Sequence, residues 1–306
     1  MNQQFKVMLP AWGKAIGLLC MIIMFVAVLW LVWTGNLSIR YTADHEGVIP
    51  IWHSWLPAFL GILLIRLIPY KSQNHTSFQQ MERPHLVVQS IVLLMSGVLF
   101  TAALVMIGPQ GLHFELYYLA FKLTTLLCIP LIFLLIYRKM TGRQQEIILA
   151  KPGSRRHVIG PLIIIVVWGY LQFYSPIAQP EGAIEATDLT ELLLLVFIGF
   201  IINSVLEEVF YRVWLQTRLE ALLGRWPAIL LVSMLWSIWH VAIQGSGQWD
   251  IDVATVIANH GVTGLFLGYL WARYRKVWVI ILIHGLMNAS PHFLLQILFH
   301  WAGRAG

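Results

Sequence analysis

Three short strings in the last third of the chain place acidic, basic and amide side chains within otherwise apolar stretches. They are Glu207-Glu208-Val209-Phe210-Tyr211-Arg212, Trp236-Ser237-Ile238-Trp239-His240, and His284-Gly285-Leu286-Met287-Asn288. A carboxylate beside imidazoles is a proton-moving set, and ionisable residues inside membrane-length apolar runs are functional candidates by default. On a helix, residues four apart share a face, so Glu208 and Arg212 face each other in the favourable order of acid before base. Glu207 points about a quarter-turn away. This spacing predicts one neutralised carboxylate and one left free for chemistry.

The other strings are weaker alone. A single histidine on an apolar helix, such as His240, is more often a packing residue, and Trp236 one turn earlier can pack under it. His284 and Asn288 are four apart and point to one side, but an asparagine in a membrane helix often only bonds a neighbouring helix.

Depth joins the strings. At a rise of about 1.5 Å per residue, Glu207 lies roughly 16 Å from Arg218, taken as the end of its span, and His240 roughly 22 Å from Arg225. On the same rise, His284 and Asn288 lie roughly 12 and 18 Å from Lys276. Independent packing residues on helices of alternating direction need not agree in depth, so one shared site is expected.

The elements that must hold such a site are apolar runs of about 20 residues, enough to cross ~30 Å of hydrocarbon. The expected architecture is all-α, a polytopic transmembrane bundle of about nine spans, with eight as the alternative. The spans fall near 13–34, 50–69, 86–107, 113–137, 158–176, 190–216, 227–244, 252–272 and 277–299. The second is interrupted by His53, Pro57 and Arg66. The basic segment 138–157 divides an N-terminal region of four spans, 1–157, from a motif-bearing region, 158–306. No internal repeat or low-complexity tract is evident.

Loop charges set the orientation. Arg138, Lys139, Arg143, Lys151, Arg155 and Arg156 follow the fourth span, whereas the next loop holds only Glu181, Glu185 and Asp188. Arg218 and Arg225 follow the sixth span, and Arg273, Arg275 and Lys276 the eighth. This alternation follows the positive-inside rule and, for nine spans, places the N-terminus in the cytoplasm and the C-terminus outside. A bacterial cytoplasmic (inner) membrane suits the short loops, although an endoplasmic reticulum location would show the same orientation bias.

Composition agrees. The chain of 306 residues is 58% hydrophobic and 11% charged, against about 25% charged in soluble domains. The net charge of +6 sits in the loops and serves orientation, and no nucleic-acid-binding motif is present. The two cysteines, Cys20 and Cys128, lie in apolar runs and form neither a metal-spacing pattern nor a disulfide framework. The stretch after Lys6 and Lys14 is longer than a typical signal-peptide core and reads as a retained first helix. Among the other polar residues, Glu115 and Lys122 share one face of span four, where they are expected to pair with other spans. Arg66 is placed to snorkel, and His260, His292 and His300 read as packing or interfacial. The Gly264-x-x-x-Gly268 spacing suits close helix contact.

Taken together, Glu-Glu-x-x-x-Arg, aromatic-x-x-x-His and His-x-x-x-Asn on successive membrane helices resemble the CPBP family. That family comprises the CAAX-type prenyl endopeptidases and bacteriocin-processing Abi proteins. The resemblance covers about residues 190–292. The family's second motif usually begins with Phe, where this chain has Trp236. The resemblance implies that Glu207 is the general base that activates water, assisted by His240. It also implies that His284 and Asn288 stabilise the oxyanion, and that Glu208 is a supporting residue paired with Arg212. The substrate would be a membrane-associated protein or peptide, and membrane lipids would surround the enzyme. No cofactor is expected. Two histidines and a glutamate can ligate zinc, but no His-Glu-x-x-His string is present, so zinc is the less favoured alternative. Competing functions are a non-catalytic bacteriocin-immunity or scaffold protein and a proton-coupled transporter, the latter disfavoured by the lack of an inverted repeat.

Overall fold

A computed structural model describes residues 3–41, 47–69, 82–108, 113–141, 156–180 and 189–304. The basic segment 142–155 and the acidic segment 181–188 lie outside the described residues, and with them much of the charge alternation.

The helices follow the apolar runs: α1 (Gln3–Thr34), α2 (Trp52–Leu67), α3 (Arg83–Ile107), α4 (Phe114–Thr141) and α5 (Arg156–Phe173). Helix α6 begins as Leu189–Gly199 and ends as Thr217–Leu223. Next come α7 (Arg225–Gln244), α8 (Trp249–Tyr274), α9 (Val277–Asn288) and α10 (Pro291–Arg304). Their ends follow local chemistry. Pro84 sits in the first turn of α3, where a missing N–H is tolerated. Gly224, at φ 93°, is the single residue between α6 and α7, in a conformation that a Cβ would oppose.

Among the described residues, six helices are long and apolar enough to cross a membrane: α1, α3, α4, α6, α7 and α8. The protein is therefore an integral membrane helical bundle. Three of the expected spans differ from simple crossings. The second and fifth, α2 and α5, are shorter apolar helices. The ninth is α9 and α10 together, bent by 66° where Asn288 gives way to Pro291. Proline fits the first turn of a new helix but cannot continue the old one. A small antiparallel hairpin, Ser38–Arg40 with Val48–Pro50, interrupts the otherwise helical architecture. Ile39, Ile49 and Ile51 at this hairpin are buried against the helices, which explains why a short strand pair persists here.

Helix α8 is the central element: 83% of its membrane-length window is buried, against 22–33% for α1, α3, α4 and α6. Its small residues allow this. A Cβ on Gly264 would lie 3.0 Å from the Ser233 Cα of α7, and one on Gly268 would lie 3.0 Å from Ile229 Cγ2. The outer helices turn Leu18, Leu19, Phe25, Met95, Ile132, Ile136, Leu194 and Phe197 outward, an apolar surface suited to lipid. Two hydrophobic clusters fill the interior. One joins α1, α2 and α5 to α8 and α9, and the other joins α3 and α4 to α6 and α7.

Arg218 departs from its expected place in a loop. It lies within α6 and is buried, with Nε donating to Gln89 Oε1 of α3 at 2.8 Å and a second nitrogen donating to the Trp214 carbonyl. The helix runs on to Leu223 because its cationic end is satisfied inside the bundle.

Candidate active site

The sequence places Glu207 and Glu208 on α6, and the local backbone there is unusual. Phe200–Val205 and Glu208–Gln216 are π-helical, with Glu207 at the start of the second segment. A third π segment, Leu123–Cys128, lies in α4. Such i→i+5 turns are rare and concentrate at functional sites. They also turn side chains away from the positions that regular helical spacing predicts.

Glu208 and Arg212 nonetheless form an ion pair, with Arg212 Nε 3.5 Å from Glu208 Oε2 and both residues fully buried. The other oxygen of Glu208 accepts from His284 Nδ1 at 2.8 Å, joining α6 to α9. Asn288, one turn after His284, donates to Ser204 Oγ at 3.1 Å. Gly285 permits this approach, since a Cβ there would lie 2.7 Å from the Phe200 ring.

Glu207 is not the free carboxylate that the spacing predicts. Its Oε1 accepts from Lys122 Nζ at 2.5 Å and its Oε2 from Trp236 Nε1 at 2.6 Å. Helical spacing reports neighbours on one helix and is silent about Lys122, which arrives from α4. Lys122 also donates to Asn203 Oδ1 at 2.7 Å and to the Tyr118 hydroxyl. Lys122 thus pairs with another span, as expected. Its part in this cluster carried no sequence signal beyond a cation deep in an apolar run.

Trp236 connects the remaining groups. Its ring lies edge-on to His240 at 5.0 Å and to His284 at 5.6 Å, and the Arg212 guanidinium sits 5.3 Å from its centroid. His240 falls at the break in α7 between Arg225–Ile238 and Val241–Gln244. Its Nδ1 lies 3.1 Å from the Trp236 carbonyl and 3.2 Å from that of Ser237. Carbonyls only accept, so Nδ1 carries the proton and Nε2 of the neutral ring keeps its lone pair. His260 stacks on His240, with centroids 3.9 Å apart and planes 13° from parallel, and its Nε2 is 2.6 Å from Gln244 Oε1. His260 is thus a packing residue placed against a site residue. His292 touches the Tyr174 ring at 4.8 Å, apart from this cluster.

The structure therefore gathers Glu207, Glu208, Arg212, His240 and His284 around one indole, with Asn288 adjoining through Ser204. It adds Lys122, Tyr118, Asn203 and His260 to the residues the strings supplied. Of the residues that could ligate zinc, Glu207 is engaged by Lys122 and Trp236, and His284 by Glu208. Among the described residues, no three His, Cys, Asp or Glu side chains converge as a metal-ion site.

Residues 189–290 match the family model for type II CAAX prenyl endopeptidase, Rce1-like. The matched third of the chain runs from α6 to the end of α9 and contains all three strings, consistent with the CPBP and CAAX protease resemblance. No curated protein and no solved structure matches the chain. The likeness supports an intramembrane endopeptidase in general, acting on a peptide or protein.

Proposed function

We propose that the protein is an intramembrane endopeptidase that hydrolyses a peptide bond in a membrane-associated protein or peptide. One observation carries this reading. Trp236 holds Glu207 by a hydrogen bond and touches both His240 and His284, so an acid and two imidazoles share one buried centre. Glu207 is the general base that draws a proton from water, and the Nε2 lone pair of His240 assists. Acid–base groups of this kind contribute about 10²–10⁴-fold each. His284 and Asn288 donate to the oxyanion of the tetrahedral intermediate. For His284 this requires a proton on Nε2 as well as on Nδ1, and Glu208 holds the ring by accepting from Nδ1. Hydrogen-bond donors already in place where charge develops act most strongly where water is scarce.

The family description is that of a type II CAAX prenyl endopeptidase, and a prenylated CAAX peptide is therefore the first probe for this chain. We place the enzyme in a bacterial cytoplasmic membrane with its N-terminus in the cytoplasm, supported by Arg138, Lys139, Arg273, Arg275 and Lys276 at helix ends expected on that side. The chemistry proceeds between glutamate and water, without a metal step.

The test compares wild type with Glu207→Gln, both verified as folded in membranes. Two readouts apply: cleavage of a quenched farnesylated C-terminal peptide, and the peptide termini of the host membrane. Termini or cleavage found only with wild type support the reading. Undiminished proteolysis by the variant removes Glu207 as the base, and identical peptidomes with no cleavage favour an immunity or scaffold role.

A further inference from the structure

The N-terminal helices reach Glu207 itself through Lys122 of α4, with Tyr118 of the same helix beside it. Lys122 is fully buried where α4 passes from its α-helical to its π-helical part. An ammonium has three protons to donate. All three go to protein acceptors: Glu207 Oε1, Asn203 Oδ1 and the Tyr118 hydroxyl. Tyr118 in turn donates to Asn203 Oδ1 at 3.1 Å, so the acceptors are themselves linked. The ammonium lies 4.6 Å from the Tyr118 ring centroid and 4.9 Å from that of Trp239, within cation–π range. A lysine tied at every proton and flanked by aromatic faces is a fixed point, unlike the mobile tail it forms at a surface.

Charge matching alone does not explain the arrangement. Arg212 already answers Glu208, and a loosely placed cation would answer Glu207 equally well. What Lys122 and Trp236 do together is hold the two oxygens of one carboxylate from opposite partners, α4 and α7. An ionised carboxylate offers about four lone-pair sites. Two are used, which leaves acceptor capacity for a water.

We propose that Lys122 is a positioning residue for Glu207, supplied by the N-terminal region to fix the orientation of the carboxylate and compensate its charge. The inference rests on the reading of Glu207 as the base. It predicts that the matched segment 189–290 is incomplete as an active site without α4. A misplacement of about 1 Å in such a group lowers turnover about 10²-fold.

The test uses the full-length protein in proteoliposomes, as wild type, Lys122→Arg, Lys122→Met and the Lys122→Met/Glu207→Gln double variant. The probe is dicyclohexylcarbodiimide, an apolar reagent that adds to membrane carboxyls lacking an ion-pair partner, with the adduct on Glu207 read by peptide mass. The expected result is a rise in Glu207 labelling of at least about tenfold in Lys122→Met, as for a buried acid stripped of its partner. Lys122→Arg keeps the charge and stays near the wild-type level, while its turnover falls with KM unchanged. A folded Lys122→Met with wild-type labelling overturns the proposal. If Lys122→Met fails to fold, the double variant decides. Recovery of folding shows that the unpaired acid was the fault, and failure of both shows a packing role and overturns the proposal. Labelling needs no turnover, so loss of the protease reading through an active Glu207→Gln would be seen separately.

Discussion

The indole nitrogen of Trp236 donates to Glu207 Oε2 across 2.6 Å, so the ring that touches both site histidines also holds the acid. Trp236→Phe separates these two tasks, because phenylalanine keeps an aromatic face and removes the N–H. Phenylalanine is also the residue the related motif usually carries. The variant is expected to fold, with a loss of about 1–3 kcal/mol from the unsatisfied buried acceptor. Lys122 still holds the other oxygen, so the reduction in kcat should be much smaller than that of Glu207→Gln. Thermal unfolding in detergent and steady-state cleavage check both statements. A Trp236→Phe variant as inactive as Glu207→Gln would make the N–H indispensable.

The stacked pair His240 and His260 gives a graded prediction. His240→Asn removes the proton acceptor and is expected to reduce kcat by about 10²–10⁴-fold. His260→Ala removes only the ring that lies against His240, and Gln244→Ala only the hydrogen bond that anchors His260. Both should give smaller losses in kcat with little change in KM. Equal losses for His240→Asn and His260→Ala would place His260 in the chemistry itself.

Two glycines of α8 should respond oppositely to alanine. A Cβ on Gly261 meets the flexible Met24 Cε at 3.1 Å and Ser237 Oγ at an ordinary 3.9 Å, so Gly261→Ala should be neutral or gain up to about 1 kcal/mol of helix propensity. A Cβ on Gly264 meets Ser233 Cβ at 2.9 Å and Cα at 3.0 Å, backbone that cannot swing away. Gly264→Ala is therefore expected to destabilise by about 1–3 kcal/mol through overpacking. Unfolding temperatures of the two variants, measured side by side, decide the matter.

Metal removal is the fourth prediction. The oxygens of Glu207 and the Nδ1 of His284 are already bonded to protein partners, so the proposed chemistry has no step for zinc. Cleavage should survive dialysis against a strong chelator. Loss of cleavage, restored by added zinc, would require the site to rearrange around an ion.

Much of this organisation was legible in the strings themselves. The Glu208–Arg212 pair, the packing of Trp236 under His240 and the close contact at Gly264 and Gly268 all follow from spacing along one helix. Contacts between helices were not legible in the same way. Lys122 and Glu207 are separated by 85 positions, and no periodicity says which face of α4 meets α6. The π segments were hidden too, since no residue spacing in the strings marks an i→i+5 turn. Arg218 was misplaced because a basic residue near the end of an apolar run resembles a loop marker, whereas Gln89 on another helix gives it a buried partner.

The short helices α2 and α5 pack against each other on one side of the bundle. The 16 residues of α2 span only about 24 Å, whereas the hydrocarbon layer is ~30 Å thick. Lipid along that flank must stretch thin or the helices must draw their ends inward, so the protein carries a low shoulder into the bilayer. Bilayer thickness itself then becomes a variable for this molecule: lipids with short acyl chains relieve the mismatch at the shoulder, and lipids with long chains load it against α8.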